Sequence, residues 1–317
     1  MDRLDAIRVF LRVVDSGSFA AAAREAGVGQ PAVSKQMAAL EHYFGAQLIR
    51  RSSRSMTLTA EGQALYDAGT RLVCDFADIT AAIGRGQAEV AGLVRMTVAP
   101  LFGRLYVVPA LGAFFVRYPG VEVDLTATTR VVNLVEEGYD LVVRNGAPAD
   151  STLIARQIAS SAWALVATPA YLAQHGTPRD LAGLAGHACV VFAPGHAVRP
   201  WDLRDGERRV SFVPHGPFRT GDAEQVRAAV LAGMGLAQAP AWMFAAELAA
   251  GTLHEILPQN MPPPVGIYAI HPAGRRLPGK VRALIDHLET DFQQAHAGAF
   301  LPRQGAPSIG APATSQP

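Results

Sequence analysis

Residues 18–40 read SFAAAAREAGVGQPAVSKQMAAL, and this stretch decides the fold of the first part of the chain. Ser18 is a favourable helix N-cap, because its hydroxyl accepts from a backbone N–H that lacks a partner inside the helix. Residues 20–23 are all alanine, strong helix formers with small side chains that let another helix approach closely. Gly27 ends that helix and Val28-Gly29 make the turn. Pro31 then falls in the first turn of a second helix, where its missing N–H costs nothing. Two short helices joined by a tight glycine-containing turn have the form of a helix-turn-helix.

The second helix has two faces. Val33, Met37, Leu40 and Phe44 recur at helical spacing and predict one apolar face. Pro31, Ser34, Lys35 and Ala38 predict an outer face that is small and polar, with one cation, as entry into a major groove requires. An ordinary helical hairpin with a solvated outer face is the alternative. Before it, residues 4–14 predict a first helix with a core stripe of Ile7, Phe10, Leu11 and Val14. After it, residues 48–59 predict a wing. Arg50, Arg51 and Arg54 are interleaved with serines and followed by a short strand, so they can lie along phosphates or in a minor groove. A solvated basic loop is the alternative there, and Arg51 is also a candidate structural clasp.

Taken together, these residues resemble the LysR-type transcriptional regulators. The resemblance is carried by Phe10, Gly17-Ser18-Phe19, Ala22-Ala23, Gln30-Pro31-Ala32-Val33-Ser34, Leu40-Glu41, Gly45, Leu48-Ile49-Arg50-Arg51, Leu58-Thr59 and Gly62. It departs at Gly29, where the family usually has a serine-like cap, and at Ile49, where it usually has Phe. The resemblance implies contacts to double-stranded DNA from Ser18, Gln30, Pro31, Ala32, Ser34, Lys35, Gln36, Arg50, Arg51 and Arg54.

Residues 59–86 read as one long helix, with Thr59 as cap and Glu61 at the positive end of the helix dipole. Leu65, Leu72 and Ile79 repeat every seven residues, and Gly69, Phe76 and Ile83 do so on the adjoining position. That is an a/d seam with one small member. Its length exceeds what so small a domain can cover, which favours a partner helix over packing on its own domain. The resemblance implies that this helix dimerises, giving a homodimer or homotetramer with the two-fold symmetry a palindromic site needs. The seam candidates are Leu65, Leu72, Phe76, Ile79 and Ile83.

Glycines at 84, 86 and 92 predict a hinge. Beyond it, short strands and helices alternate. Strands are expected at 93–99, 121–126, 141–143, 162–168, around 189–192, and at 210–213, 236–239 and 265–270. Helices are expected at 108–118, 131–137, 169–175, 223–233, 241–249 and 279–294. The order predicts parallel α/β layers. It is similar to the two-lobed periplasmic-binding-protein layout of LysR-type regulatory domains. The fold class is therefore α/β: a winged helix-turn-helix over 1–58, a linker helix over 59–86 and a two-lobed domain over 92–296. Lobe I takes about 92–161 and 266–296, and lobe II about 162–265. Residues 297–317, rich in Ala, Gly, Pro and Ser, predict a disordered tail.

In such layouts a small ligand lies between lobes at strand ends. Candidate effector contacts are Pro100, Leu101, Thr128, Thr129, Arg144 and Thr220. Hydroxyls, amides and an arginine converging there suit a small anion such as a carboxylate. Alternatively, Arg144 pairs with Asp140, Arg130 is merely solvated and Thr128 is a strand-edge residue. Trp163, Trp201 and Trp242 read as packing, although Trp201 beside Arg199 is placed to line a cleft.

Composition narrows the partners. The 317-residue chain is 50% hydrophobic and 17% charged, with a net charge of only +1, so no global basic field draws it to nucleic acid. The charge is local: residues 1–60 carry eight cations (Arg3, Arg8, Arg12, Arg24, Lys35, Arg50, Arg51, Arg54) against five acids. Cys74 and Cys189 lie far apart, and the histidines show no paired zinc spacing, so no disulfide framework, metal site or cofactor is expected. Neither a P-loop, a G-x-S-x-G elbow nor a G-x-G-x-x-G fingerprint occurs, which argues against an enzyme. Gly233-Met234-Gly235 reads as a helix end. No apolar run of membrane-spanning length and no secretion signal are read, so a cytoplasmic protein is expected. The leading expectation is an effector-responsive regulator that binds DNA. The rival is a cytoplasmic solute-binding module whose N-terminal helices only dimerise.

Overall fold

The computed structural model describes residues 2–51, 56–83, 90–148, 153–273, 277–296 and 298–301. They fall into two compact units. The first takes Met1–Leu93 with two short returns, Gly120–Glu122 and Pro278–Lys280, and the second takes the rest.

In the first unit, α1 (Arg3–Asp15), α2 (Phe19–Glu25) and α3 (Gln30–Phe44) enclose an apolar core. Phe10, Val13, Val33 and Met37 are within 1% of complete burial. Burying side chains of this size contributes about 1.5–3 kcal/mol each. Phe44 departs from the expected apolar face: it is 46% exposed and meets Tyr43 edge-on. Phe44 lies on the same helix face as Val33 and Leu40 but one turn beyond Leu40, at the end of α3, where Gly45 ends the helix in the left-handed region at φ 65°. Strands β1 (Ile49–Arg51) and β2 (Met56–Leu58) pair antiparallel, with Ile49 opposite Leu58. Helix α4 (Ala60–Ile83) follows, its first turn capped by the Thr59 hydroxyl, which accepts from Gly62 N–H at 2.9 Å.

Helix α4 packs on α1 in the same chain. A Cβ on Gly69 would come within 2.8 Å of the Ile7 side chain. Leu65 and Val73 also pack on the α1–α3 core. The expected seam is therefore divided: Gly69 and Leu65 are used within the chain, while Leu72 and Phe76 remain 49% and 46% exposed. The side chains of Ile79 and Ile83, and hinge residues 84–89, lie outside the described residues.

The second unit is mixed rather than parallel. Strands β3 (Gly92–Val98), β4 (Val121–Ala127), β5 (Leu141–Asn145), β6 (Leu153–Ser161) and the late strand Val265–Pro272 form one sheet. Between β3 and β4 run α5 (Pro100–Phe102), a π-helical turn (Gly103–Val107) and α6 (Val108–Arg117). Helix α7 (Leu134–Glu137) precedes β5. Strands β7 (Trp163–Ala167), β8 (Val190–Phe192), β9 (Trp201–Asp205), β10 (Arg208–Phe212), β11 (Phe218–Thr220), β12 (Ala237–Pro240) and β13 (His254–Glu255) build the second lobe with α8 (Pro169–His175), α9 (Ala223–Leu231) and α10 (Ala245–Ala249). The chain then returns to the first sheet as β14 (Val265–Pro272) and ends in α11 (Gly279–Gln294). The order of the large sheet is β4-β3-β5-β14-β6. β3 and β5 are parallel, but β14 runs antiparallel to both β5 and β6, because it enters from the other lobe.

Two further expectations are corrected. The stretch Pro100–Arg117 is helical for 18 residues and apolar enough, by length and composition alone, to cross a membrane. Its apolarity has a local cause, since Leu101, Phe102, Tyr106, Val107, Ala110 and Phe114 are buried in this unit. Residues Ala299 and Phe300, assigned from composition to a disordered tail, are buried; Phe300 packs against Tyr106 at 4.9 Å and Phe292 at 5.2 Å between ring centroids. Residue 297 and residues 302–317 lie outside the described residues.

Candidate functional site

The first site is built on α3. Gln30, Pro31, Ala32 and Lys35 are exposed and Ser34 is half-buried, while Val33, Met37 and Leu40 face the core. The outer face thus carries the small, polar and cationic side chains that a groove admits. Gln36 differs from its neighbours: it is half-buried, with Oε1 enclosed and unpaired. Ser18 uses its hydroxyl as the α2 cap, accepting from Ala21 N–H at 3.4 Å. Gly29, without a side-chain cap, begins α3.

The wing is held to α3 by a residue whose role sequence reasoning missed. The Glu41 carboxylate accepts from Leu48 N–H at 2.8 Å and from Ile49 N–H at 3.3 Å. Those charge-assisted bonds fix where the basic strand leaves the helix. Thr59 adds a second tether, donating to Gln47 O at 2.6 Å. Arg50 on β1 is exposed. The side chain of Arg51, and Arg54 altogether, lie outside the described residues.

The second site is a cavity of about 1150 Å³ in the second unit. Its first wall comes from the ends of β3 and β5. Val98 registers with Val143, which sets Pro100 and Leu101 beside Arg144. Thr128 N–H donates to Val98 O at 2.9 Å, bringing Thr128 and Thr129 to the same rim. The opposite wall carries Phe192, Arg199 and Trp201. Five of the six candidates expected from strand ends therefore line the cavity: Pro100, Leu101, Thr128, Thr129 and Arg144. Thr220 does not. Its hydroxyl donates to Gln225 Oε1 at 2.6 Å and accepts from Asp222 N–H at 3.1 Å. Trp163 and Trp242, expected as packing, line the cavity, and so does Trp201, for which a place in a cleft beside Arg199 was the alternative reading. Trp201 and Trp242 do both, being 4% and 3% exposed. Nothing in their spacing distinguishes a buried wall from a cavity wall.

Charges in the cavity are largely committed. Arg130, for which plain solvation was the alternative, forks onto Glu137, and that contact holds the Glu137 carboxyl below the usual carboxylate range. Arg144 makes no ion pair or hydrogen bond through its side chain among the described residues. The expected alternative of an Arg144–Asp140 clasp is therefore not formed; Asp140 Oδ2 instead accepts from Arg95 N–H at 2.9 Å. Helix α5 begins at Pro100 after Ala99, which makes no side-chain cap.

Two contacts span the lobes. Arg104, on the π-helical turn, forks onto Glu224 at the start of α9, at 2.7 and 3.0 Å. The buried Tyr106 hydroxyl donates to Trp242 O at 2.5 Å. Among the described residues no group of three His, Cys, Asp or Glu side chains is placed to hold a metal ion. Burial pushes the Cys189 thiol up to about 11, the opposite of what a nucleophile needs.

Comparison with known proteins matches both parts. Residues 4–63 match the family model described as "Bacterial regulatory helix-turn-helix protein, lysR family", and residues 87–293 match the one described as "LysR substrate binding domain". The HTH-type transcriptional regulator DmlR of Escherichia coli (strain K12) is 32% identical over 94% of this chain and 97% of its own. CrgA, a LysR-type transcriptional regulator from Neisseria meningitidis, shares the fold with a TM-score of 0.60 and 26% identity over 90% of this chain and 98% of its own. The full-length virulence activator AphB of Vibrio cholerae gives a TM-score of 0.55 and 27% identity over the same shares.

Proposed function

The chain belongs to the LysR family of bacterial helix-turn-helix transcriptional regulators, and from that premise we propose that it reads DNA through the outer face of α3 and the wing, as a homodimer or homotetramer, under control of a small carboxylate held in the cavity. The family's substrate-binding domain binds effectors, and this chain carries that domain over 87–293. The observation that carries the DNA-reading assignment is the exposure of Gln30, Pro31, Ala32 and Lys35 on one face of a helix whose other face is closed by the core. Ser18, Ser34, Gln36, Arg50, Arg51 and Arg54 complete the contact surface in this reading, although the Ser18 hydroxyl also caps α2.

Effector recognition rests on Arg144, supported by Thr128 and Thr129, with Pro100 and Leu101 forming the wall beside them. A guanidinium without a protein partner beside hydroxyls suits a carboxylate. The functional divisions follow the sequence reading: 1–58 for DNA, 59–86 as linker, and 92–296 for the effector. The protein acts as a cytoplasmic binding protein without catalytic turnover.

A double variant, Lys35→Ala with Arg54→Ala, tests the first assignment. Removing two phosphate- or base-reaching cations should weaken binding to an operator fragment by at least tenfold and reduce its salt dependence, with the oligomer intact by sedimentation. Unchanged affinity would remove these residues from the DNA surface. Arg144→Ala should abolish the effector response while leaving DNA binding in place.

A further inference from the structure

The cavity's ionic groups can be paired off almost completely. Arg209 forks onto Asp202, with both contacts at 2.5 Å. Arg130 is held by Glu137, and Glu224 by Arg104. Asp222 caps α9, accepting from Gln225 N–H at 3.0 Å. Two lining cations are left, Arg144 and Arg199, whose side chains have no hydrogen bond or ion pair among the described residues.

These two guanidiniums stand on different walls. Arg144 is on β5 of the five-stranded sheet and is half-buried. Arg199 lies between β8 and β9 of the other lobe, where its backbone N–H donates to Phe192 O at 2.9 Å. The cavity lining is mixed: Trp163, Phe192 and Val265 give it apolar patches, beside the polar Thr97, Ser211 and Gln238. A single carboxylate on the half-buried Arg144 leaves the exposed Arg199 at the cavity mouth to water. A phosphate monoester concentrates its charge at one end and does the same. We propose that the effector is a dicarboxylate whose two carboxylates are separated by an apolar spacer, one carboxylate on Arg144 and the other on Arg199. This rests on the reading of the cavity as the effector site. The second ion pair joins the two lobes only when one ligand reaches both, so the dianion class also explains how binding is felt across the cleft.

The test uses the full-length protein and calorimetric titration with matched probes: glutarate, adipate, phthalate and terephthalate, each against its monomethyl ester. At least one diacid should bind about tenfold or more tightly than its own monoester. Arg144→Gln and Arg199→Gln should each bring the diacid down to the affinity of the monoester. The monoester, which needs only one guanidinium, should change by no more than about twofold in either variant. Equal affinity for diacid and monoester, or a diacid insensitive to Arg199→Gln, overturns the dianion class while leaving a single-anion cleft standing. Stabilisation by neutral or cationic metabolites only, with no acid bound, also overturns it and keeps the cleft. Failure of every small-molecule class to bind overturns both readings.

Discussion

Glu41 and Gly62 carry consequences out of proportion to their size. Glu41 ends two backbone N–H groups of the wing, one of them on the fully enclosed Leu48. Glu41→Ala leaves both donors without their acceptor and should destabilise the first unit by about 1–3 kcal/mol, measured by urea unfolding. Gly62 lies against the same segment: a Cβ there would fall 2.0 Å from Leu48 O and 2.9 Å from its carbonyl carbon. Because those atoms are backbone and cannot swing aside, Gly62→Ala should cost about as much as a core overpacking substitution, on the order of 1–3 kcal/mol. Either variant unfolding at the wild-type urea midpoint would contradict these contacts. Both residues were visible in the family pattern, but only the coordinates give their reasons.

Two buried groups set the alkaline limit. Burial, with the negative Glu247 nearby and Arg227 opposing, pushes the Tyr106 hydroxyl up to about 12 from an ordinary 10, and burial pushes the Cys189 thiol to about 11 from an ordinary 9. Both folded values lie above the unfolded ones, so the folded state holds its protons more tightly. The stability they contribute is complete below about pH 9 and is lost as pH rises through the folded values. The melting midpoint should therefore fall between about pH 9 and 12, and fall less in Cys189→Ala, most visibly below pH 11. Equal falls in the two proteins would mean that the thiol is not coupled to folding.

At the scale of elements, α4 explains why a heptad pattern is ambiguous. The repeat does not say which partner fills the seam. Leu65 and Gly69 meet α1 of the same chain, because Gly69 lets Ile7 approach. Leu72 and Phe76 stay half exposed, although Val73 between them still packs on the core and the Arg8 guanidinium of α1 lies 5.7 Å from the Phe76 ring. In the proposed dimer, the contact through α4 would rest on these exposed residues. Leu72→Asp with Phe76→Asp should give a monomer in sedimentation velocity, with the helical content of the first unit unchanged. A persistent dimer would place the interface elsewhere.

Elements also mark where sequence reading ran out. Helices with caps and clear periodicity were legible: α1, α8, α9 and α11 all fall within two or three residues of expectation. The helical start at Pro100 was missed, since X-Pro followed by Leu-Phe-Gly resembles a strand end and the π-helical turn has no sequence signature. Strand β6 was missed because its pattern, exposed at the start and buried at the end, lacks a steady alternation. Short strands such as β11 and β13 carry too few residues for any period. The antiparallel β14 could not be read locally, because its direction is decided by a return from the other lobe.

At the scale of the whole molecule, identity was legible almost entirely from one stretch, since the helix-turn-helix demands particular small and capping residues at fixed spacing. The effector cavity was legible only as strand ends. Which guanidiniums remain unpaired depends on acids such as Glu137 and Asp202 that are seven residues from their partners in sequence and could not be assigned without coordinates. A net charge of only +1 provides no global attraction to nucleic acid, so the proposed reading of DNA rests on local contacts from the α3 face and the wing. The most direct measurement is selection of fragmented genomic DNA on the purified full-length protein at fixed salt, run in parallel with Lys35→Ala. The account predicts enrichment of two-fold related half-sites, centred about one or more helical turns apart, that collapses in the variant. Enrichment of no sequence by the wild-type protein, or the same enrichment with Lys35 removed, would contradict the assignment of α3 as the reading helix.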